Sequence, residues 1–564
     1  MVKSYSRRHF FKKVSYGTLG LMAGGAVGSF NQCGRLVKRG GRPNVILIMA
    51  DDMGYSDIGC YGGEIITPHI NRLAENGLRF TRFYNTARCC PTRASLLTGL
   101  YPHQAGIGHM MADQGYPGYR GDLQPNCVTI AEVLKQAGYA TYMTGKWHVT
   151  RFRKNEDHRH NWPLQRGFDR FFGTVEGAGS FFDPISLTMD NQFIDLPYQP
   201  FYYTDAISDY AVQFLKEHRK KQPEKPFFLY VPFTSPHWPL HALEKDISRY
   251  KDRFCAGWGV LREERYQRMI EMGLIRPEWK LTERDSRVPP WEKADHKDWQ
   301  TRRMEVYAAQ IDRMDQGIGR ILNQLRQNKE MNNTLIFFLA DNGGCAEELT
   351  DSWLNWLYNE SRICPKVTRD IRPVVAGNRT DLMPGPPTTF QSYGVPWANV
   401  SNTPFRLYKH WSHEGGVATP LIMHWPAGIE AEGELRDQPG HLIDIMATCM
   451  DVSGAEYPSE FKGNRITPLE GKSLMNIINK RSMNREALYF EHEGNRAVTD
   501  GKWKLVAAKP TGAWELYDME NDRTETHNLA GEYPEQVKRL SFLWENWARR
   551  AKVLPWPWDK GEKA

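Results

Sequence analysis

Two adjacent cysteines, Cys89 and Cys90, stand directly before Pro91 and Arg93 in the stretch TARCCPTRASLLTGLYPHQAG (86–106). A disulfide between neighbours is nearly excluded, because their Cα atoms are a single peptide apart. A thiolate metal pair would show C-x-x-C spacing and a second such pair, and the chain has neither. Pro91 suits the first position of a helix that RASLLTG continues and Gly99 can end. The cysteines then sit at a helix start, where free N–H groups and the helix dipole favour negative charge. A second set, Asp51, Asp52, Asp341 and Asn342, offers hard oxygen donors, three of them anionic. Such donors suit Ca²⁺ or Mg²⁺ rather than zinc. Lys146, Lys409 and Arg93 add positive charge, and His148 and His237 add groups that titrate near neutrality. A divalent ion, three cations and two histidines around a helix N-terminus describe a site for a tetrahedral oxyanion ester, a phosphate or sulfate monoester.

Most of these residues follow apolar runs. NVILIMADD (44–52), ATYMTGKWH (140–148), PFFLYVPFTSPHWP (226–239) and NTLIFFLADNGG (333–344) each read as a buried strand with its polar residues at the carboxyl end. Open α/β sheets bind ligands at that end. Each cluster alone could be a helix cap or turn, but four of them agree. From about 42 to 450 such runs alternate with helical patterns, which predicts an α/β domain with a large, mostly parallel sheet flanked by helices. Aromatic, Pro-rich segments at 241–300 and 345–400 are expected to shape a pocket over the sheet's ligand end. From 455 to 564 the pattern changes to a hairpin at 485–508, a further strand within 513–531 and an amphipathic helix at 533–551. That predicts a smaller C-terminal α+β subdomain with an antiparallel sheet.

The formal charge of +7 over 564 residues misleads, since eight basic residues and no acid lie within 1–40 and leave the rest at −1. A near-neutral body gives no electrostatic case for nucleic acid. Residues 1–33 have the charged-then-apolar layout of an export signal, and Arg7-Arg8 followed by Phe10 and Phe11 resembles a twin-arginine signal. The apolar run at 14–30 is short and Gly-rich for a membrane span, so an exported, bacterial periplasmic location without a transmembrane segment is expected. Cys33 lacks the preceding small residues that lipidation would want. The nine cysteines are odd in number and scattered, and make no disulfide framework.

The motifs CCPTRASLLTG, RPNVILIMADDMGYSDIGCYGG, TGKWH, SPHWP, ADNGG and FRLYKHWSHEGGVATPLIMHWP, in this order, resemble those of the type I sulfatases of the alkaline-phosphatase-like superfamily. The resemblance runs over nearly all of the chain beyond the export segment, and no core motif residue is missing. It implies that Cys89, two residues before Pro91, is oxidised to Cα-formylglycine by a formylglycine-generating or radical maturase, with Cys90 at a variable position. It implies one Ca²⁺ held by Asp51, Asp52, Asp341, Asn342 and residue 89. Hydrated to a gem-diol, residue 89 would attack sulfur, with Arg93, Lys146 and Lys409 neutralising the sulfate oxygens. His237, helped by Lys409, would protonate the leaving alcohol, and His148 would take a proton from the second hydroxyl to release sulfate.

The resemblance admits two alternatives: a phosphonate or phosphodiester hydrolase of the same superfamily, and an inactive secreted glycan-binding homologue. The single-metal oxygen set argues against the two-zinc phosphatase branch. Export and aromatic loops favour a sulfated saccharide as substrate, with aryl sulfates as surrogates. The turn in FEHEGNRAV (490–498) carries His492 and Arg496, which are expected to bind the sugar, although Glu-Gly-Asn is also plain turn chemistry.

Overall fold

The protein is described by a computed structural model covering residues 41–151, 159–361, 363–430 and 432–559. The export-type segment 1–33, Cys33 included, lies outside the described residues.

The four apolar runs form neighbouring strands. In chain order the main sheet contains Asn44–Ala50 (β1), Leu78–Phe80 (β2), Ala140–Lys146 (β3), Arg170–Thr174 (β4), Leu187–Met189 (β5), Gln192–Phe193 (β6), Phe227–Pro232 (β7), Thr334–Ala340 (β8), Leu421–His424 (β9) and Glu434–Arg436 (β10). Their spatial order is β10-β2-β9-β8-β1-β7-β3-β4-β5-β6. The central run β8-β1-β7-β3-β4 is parallel throughout. Ala50 pairs with Ala340, so Asp51 and Asp341 emerge side by side from adjacent strands. β9 runs antiparallel to β8, Leu421 opposite Leu339, so the segment entering β9 arrives at the same edge. That is how Lys409 reaches the strand ends that carry the other polar residues.

Alternation along β1 explains the layers. Ile46, Ile48 and Ala50 enter one apolar cluster with residues of the helices Tyr203–Lys221 and Lys297–Asn328. Val45, Leu47 and Met49 enter a second, with residues of Cys89–Thr98 (α1), Ile130–Gln136 and Asp444–Ser453. A strand buried on both faces reads as a continuous apolar run, as these do. α1 begins at Cys89 rather than at Pro91, which occupies its third position. Proline is tolerated there because first-turn N–H groups have no helical partner to lose. Gly99 ends α1 in the left-handed region at φ 67°, as expected.

Beyond residue 455 lies a four-stranded antiparallel sheet, Leu488–His492 (β11), Asn495–Thr499 (β12), Trp503–Ala507 (β13) and Glu515–Asp518 (β14). The helix Pro534–Arg550 joins it to the second cluster through Leu540, Trp544 and Trp547. A buried charge network ties this sheet to the segment before β9. Lys504 Nζ stands 2.8 Å from a carboxylate oxygen of each of Glu414 and Glu525, and Arg523 Nε lies 3.0 Å from Glu414. All four side chains are essentially buried. Breaking a buried ion pair strands the remaining charge. Lys504→Met is therefore expected to lower the unfolding free energy by about 3–5 kcal/mol. A loss below about 1 kcal/mol in denaturant unfolding would show that the network does not hold the two sheets together.

Candidate active site

The carboxyl edge of the parallel strands gathers the sequence-selected residues. Asp51 follows β1 directly, and Lys146, the last residue of β3, donates to its Oδ2 at 2.7 Å. Asp341 follows β8; its Oδ2 accepts from Arg93 Nη2 at 3.0 Å and its Oδ1 from the Asp52 backbone N–H at 3.0 Å. Arg93 also donates to the Lys146 carbonyl at 3.1 Å and lies 3.5 Å from Asp51 Oδ1. Asp52 Oδ2 accepts from Lys409 Nζ at 2.8 Å and lies 3.4 Å from His237 Nε2. Asn342 donates to Asp52 Oδ1 at 2.7 Å. Three acids thus meet three separate cations, all inside the protein.

Local structure makes this arrangement possible. Thr92 donates its hydroxyl to the Asp341 carbonyl at 2.7 Å, fastening the start of α1 to the β8 loop. The amides of Cys89 and Cys90 precede the first helical bond, Thr92 N–H to the Arg88 carbonyl. Gly343 has no room for a side chain: a Cβ there would lie 1.8 Å from the Gly415 carbonyl oxygen. Asp52, Ala87, His148, Leu407 and His410 all hold left-handed φ of 55–87°. Such positions cost non-glycine residues roughly 1–3 kcal/mol each and concentrate at functional sites.

The surroundings polarise the titratable groups. Burial opposes the charge on Asp51, but Lys146 and Arg93 outweigh it and hold its pKa below the usual carboxylate range. Burial and the neighbouring Asp51 push Asp341 well up, against Arg93. A hydrogen bond from Cys90 holds the Cys89 thiol well below its ordinary value, with Lys146 and His148 assisting against burial. Burial lowers His148 to about 4, partly offset by Cys89, so it is a neutral imidazole able to take a proton. Cys90 Sγ lies 3.2 Å from His148 Nε2. The eight described cysteines are free thiols.

The donor set passes a test for a metal. Asp51 Oδ1 and Asn342 Oδ1 are buried and accept no hydrogen bond. Buried oxygens without donors are costly unless a cation meets them. With Asp52 and Asp341 beside them, they make a hard-oxygen set of the kind Ca²⁺ uses.

These residues open on a cleft of about 720 Å³ lined by Cys89, Lys146, His148, His237 and Lys409. Arg93 does not line it; it works from behind, through Asp341 and Asp51. The cleft is also lined by Trp238, Trp353, Trp356 and Ile363 and by Arg88 and Glu347, with Trp238 Nε1 donating to Glu347 at 2.7 Å. The segment 345–400 thus helps shape the cleft as expected, whereas no residue of 241–300 lines it.

His492 and Arg496 are not brought to the cleft. Arg496 donates to the carbonyls of Lys509, Pro510 and Gly512 and stacks 4.4 Å over Trp514, which uses its donors within the C-terminal sheet. His492 is fully buried and stacks on His109 at 5.5 Å. The expected sugar contacts are therefore not placed by this geometry: the hairpin points its turn into the protein. Sequence reading missed Arg88, Glu347 and His410, which flank the core motifs. Arg88 pairs with Glu347 at 2.9 Å, and Glu347 lies 3.6 Å from Lys409 Nζ. Their one signal was adjacency, Arg88 before Cys89 and His410 after Lys409.

Residues 43–455 match the family model described as sulfatase, and residues 405–546 match that of the N-sulphoglucosamine sulphohydrolase C-terminal region. An arylsulfatase of Klebsiella aerogenes is 33% identical over 463 residues, covering 79% of this chain and 94% of that protein. An uncharacterised sulfatase of Schizosaccharomyces pombe is 30% identical over 550 residues, covering 92% and 95%. The solved structure of Ps i-CgsB in complex with k-i-k-neocarrahexaose shares the fold, with a TM-score of 0.63 at 23% identity, covering 91% of this chain and 98% of that one.

Proposed function

The chain belongs to the sulfatase family and is a sulfuric ester hydrolase, and from that premise we propose that it removes sulfate from carbohydrates using formylglycine made from Cys89 and one Ca²⁺. The observation that carries this reading is the set of three buried acids, each paired to its own cation, at the strand ends beside Cys89. Asp51, Asp52, Asp341 and Asn342, with residue 89, would hold the ion, which supplies a Lewis acid for the sulfate oxygens. Formylglycine supplies, when hydrated, one hydroxyl to attack and a second to let the enzyme turn over.

The chain's own residues do the rest. Lys146 and Lys409 line the cleft and keep donors to spare beyond their aspartates, so they bind and neutralise the sulfate. Arg93 holds Asp341 and the Lys146 backbone in place. His237 donates its Nδ1–H to the Trp238 carbonyl at 2.6 Å, so Nε2, 3.4 Å from Asp52 Oδ2, hands a proton to the leaving alcohol from the doubly protonated ring, which is left as the neutral imidazole. His148, neutral, takes the proton that releases sulfate. Catalysis of this type rests on preorganised charge in a desolvated site.

The saccharide reading is supported by the tryptophan wall and by the oligosaccharide complex of the structural neighbour. Trp353 and Trp356 meet edge-on at 5.7 Å, and Trp238 packs against Trp353 at 6.2 Å. Such rings stack on apolar sugar faces. Trp353→Ala is expected to lower kcat/KM on a sulfated oligosaccharide roughly tenfold, the equivalent of ~1.4 kcal/mol. A small aryl sulfate should change little; equal losses on both would remove the wall from sugar recognition.

The deciding experiment compares sulfate, phosphate and phosphonate esters of one leaving group, using protein shown by mass to carry formylglycine. Preference for sulfate is expected; faster phosphonate or phosphodiester turnover would overturn the reading, and inactivity on all would make the chain a binding homologue. We further propose twin-arginine export and a maturase that acts before the buried Cys89 is closed off.

A further inference from the structure

We propose that His109, His410, His492 and Glu493 form a second metal site, behind the cleft-lining residues Arg88 and Glu347, that takes Zn²⁺ or another late first-row divalent ion. Three chain segments bring imidazoles to one carboxylate: the loop after α1, the residue next to Lys409, and the turn between β11 and β12. His410 Nδ1 lies 2.8 Å from Glu493 Oε2, while His109 Nε2 and His492 Nε2 lie 3.3 and 3.4 Å from Oε1. One donor atom each of His410, His492 and Glu493 falls within 4.8 Å of the others. A tetrahedral zinc with bonds of ~2.0–2.1 Å has edges of roughly 3.3 Å; the His109 and His492 separations from Oε1 are of that size, while His410 meets the other oxygen and would have to turn toward the same ion.

Hydrogen bonding alone leaves the cluster unsatisfied. His492 is fully buried, yet neither ring nitrogen makes a hydrogen bond, and His109 Nδ1 makes none either. A buried imidazole whose Nδ1 meets nothing and whose Nε2 has only a carboxylate at 3.4 Å costs free energy that metal ligation would recover.

The backbone holds the ligands in place at some cost. His410 and Glu493 adopt left-handed φ of 87° and 53°. Asn495 Nδ2 donates to the carbonyls of both His410 and His492 at 3.0 Å, clamping two ligand-bearing segments together. His410 Nε2 lies 3.1 Å from Glu347 Oε1 and also meets Arg88, whose Nη1 stands 3.2 Å from Nδ1 as well; Nδ1 is the nitrogen turned to Glu493. A nitrogen-rich set with one carboxylate selects zinc-like ions. It differs in kind from the oxygen set of Asp51, Asp52, Asp341 and Asn342, and the inference does not depend on the proposed reaction. A metal here would pin the C-terminal hairpin to the segment that carries Lys409.

The test uses full-length, tag-free protein stripped with chelator and returned to Ca²⁺-containing buffer. Calorimetric titration with Zn²⁺ is expected to show one equivalent bound, and Co²⁺ to give the visible absorption of a four-coordinate nitrogen-rich site. Both signals should vanish in His492→Ala and in Glu493→Gln, with Ca²⁺ content unchanged. Glu493 is partly exposed, so its variant carries the test if His492→Ala does not fold. No zinc uptake by the wild type would overturn the proposal. So would uptake that survives Glu493→Gln, or uptake lost only in Asp51→Asn.

Discussion

Cys89→Ala is expected to lower kcat/KM on an aryl sulfate by on the order of 10⁴–10⁶-fold, the scale seen when a covalent nucleophile is removed. Cys90→Ala should retain most activity. The two cysteines are adjacent and both buried, yet their surroundings differ. Cys89 opens on the cleft with Lys146 and His148, and its thiol is held well below the ordinary range by the hydrogen bond from Cys90, aided by Lys146. Burial and Cys89 itself push Cys90 well up, and its sulfur packs on Met110 and His148. Peptide mass spectrometry after co-expression with a maturase should find the thiol replaced by an aldehyde at Cys89 alone. Aldehyde at Cys90, or full activity in Cys89→Ala, would sink the assignment. A modest loss in Cys90→Ala would reflect only a His148 ring with one contact fewer.

The residues legible in the sequence were those that the periodicity of single strands places. Asp51, Lys146 and Asp341 lie at or just beyond the ends of buried strands, so a run of apolar residues points to each. Parallel pairing then sets them abreast, which a strand-end reading anticipates. Lys409 lies in the irregular segment that leads into the antiparallel β9, and its place rested on motif resemblance rather than on pattern. What escaped was set by tertiary contact. Whether the hairpin 488–499 offers its turn to solvent or to the protein depends on β13 and Trp514 packing beneath Arg496, and no local pattern records that. His109, His410 and Glu493 lie far apart in sequence and follow no period. Left-handed φ at Asp52, His148 and His410 is likewise invisible, since none is the glycine that normally marks such a turn. Gly177 is the reverse case: a Cβ there would stand 2.3 Å from the His148 ring, so a glycine that reads as loop filler reserves space for a site residue.

Removing the proposed Ca²⁺ site should have the second largest effect. Asp341→Ala deletes one ligand and also strips Arg93 of its nearest partner, leaving Asp51 at 3.5 Å as the remaining acid beside a buried guanidinium. Activity is expected to fall on the order of 10³-fold or more, as losing charge stabilisation in a desolvated site does. Stability should fall by two separable routes. Loss of the Arg93 pair lowers Tm at every Ca²⁺ concentration. Loss of metal linkage removes the dependence of Tm on Ca²⁺, which in the wild type should reach about 2.7 kcal/mol at a hundredfold excess over Kd. Asp341→Asn separates the routes, because its amide oxygen can still accept from the Asp52 N–H or face Arg93. It should recover part of the Ca²⁺-independent Tm while activity stays low. The readout is Tm against Ca²⁺ for the wild type and both variants, with metal content measured directly. A wild type whose Tm ignores Ca²⁺, or an Asp341→Ala protein with unchanged calcium content and activity, would mean that Asp51 Oδ1 and Asn342 Oδ1 do not meet a metal. Their burial without donors would then need another occupant.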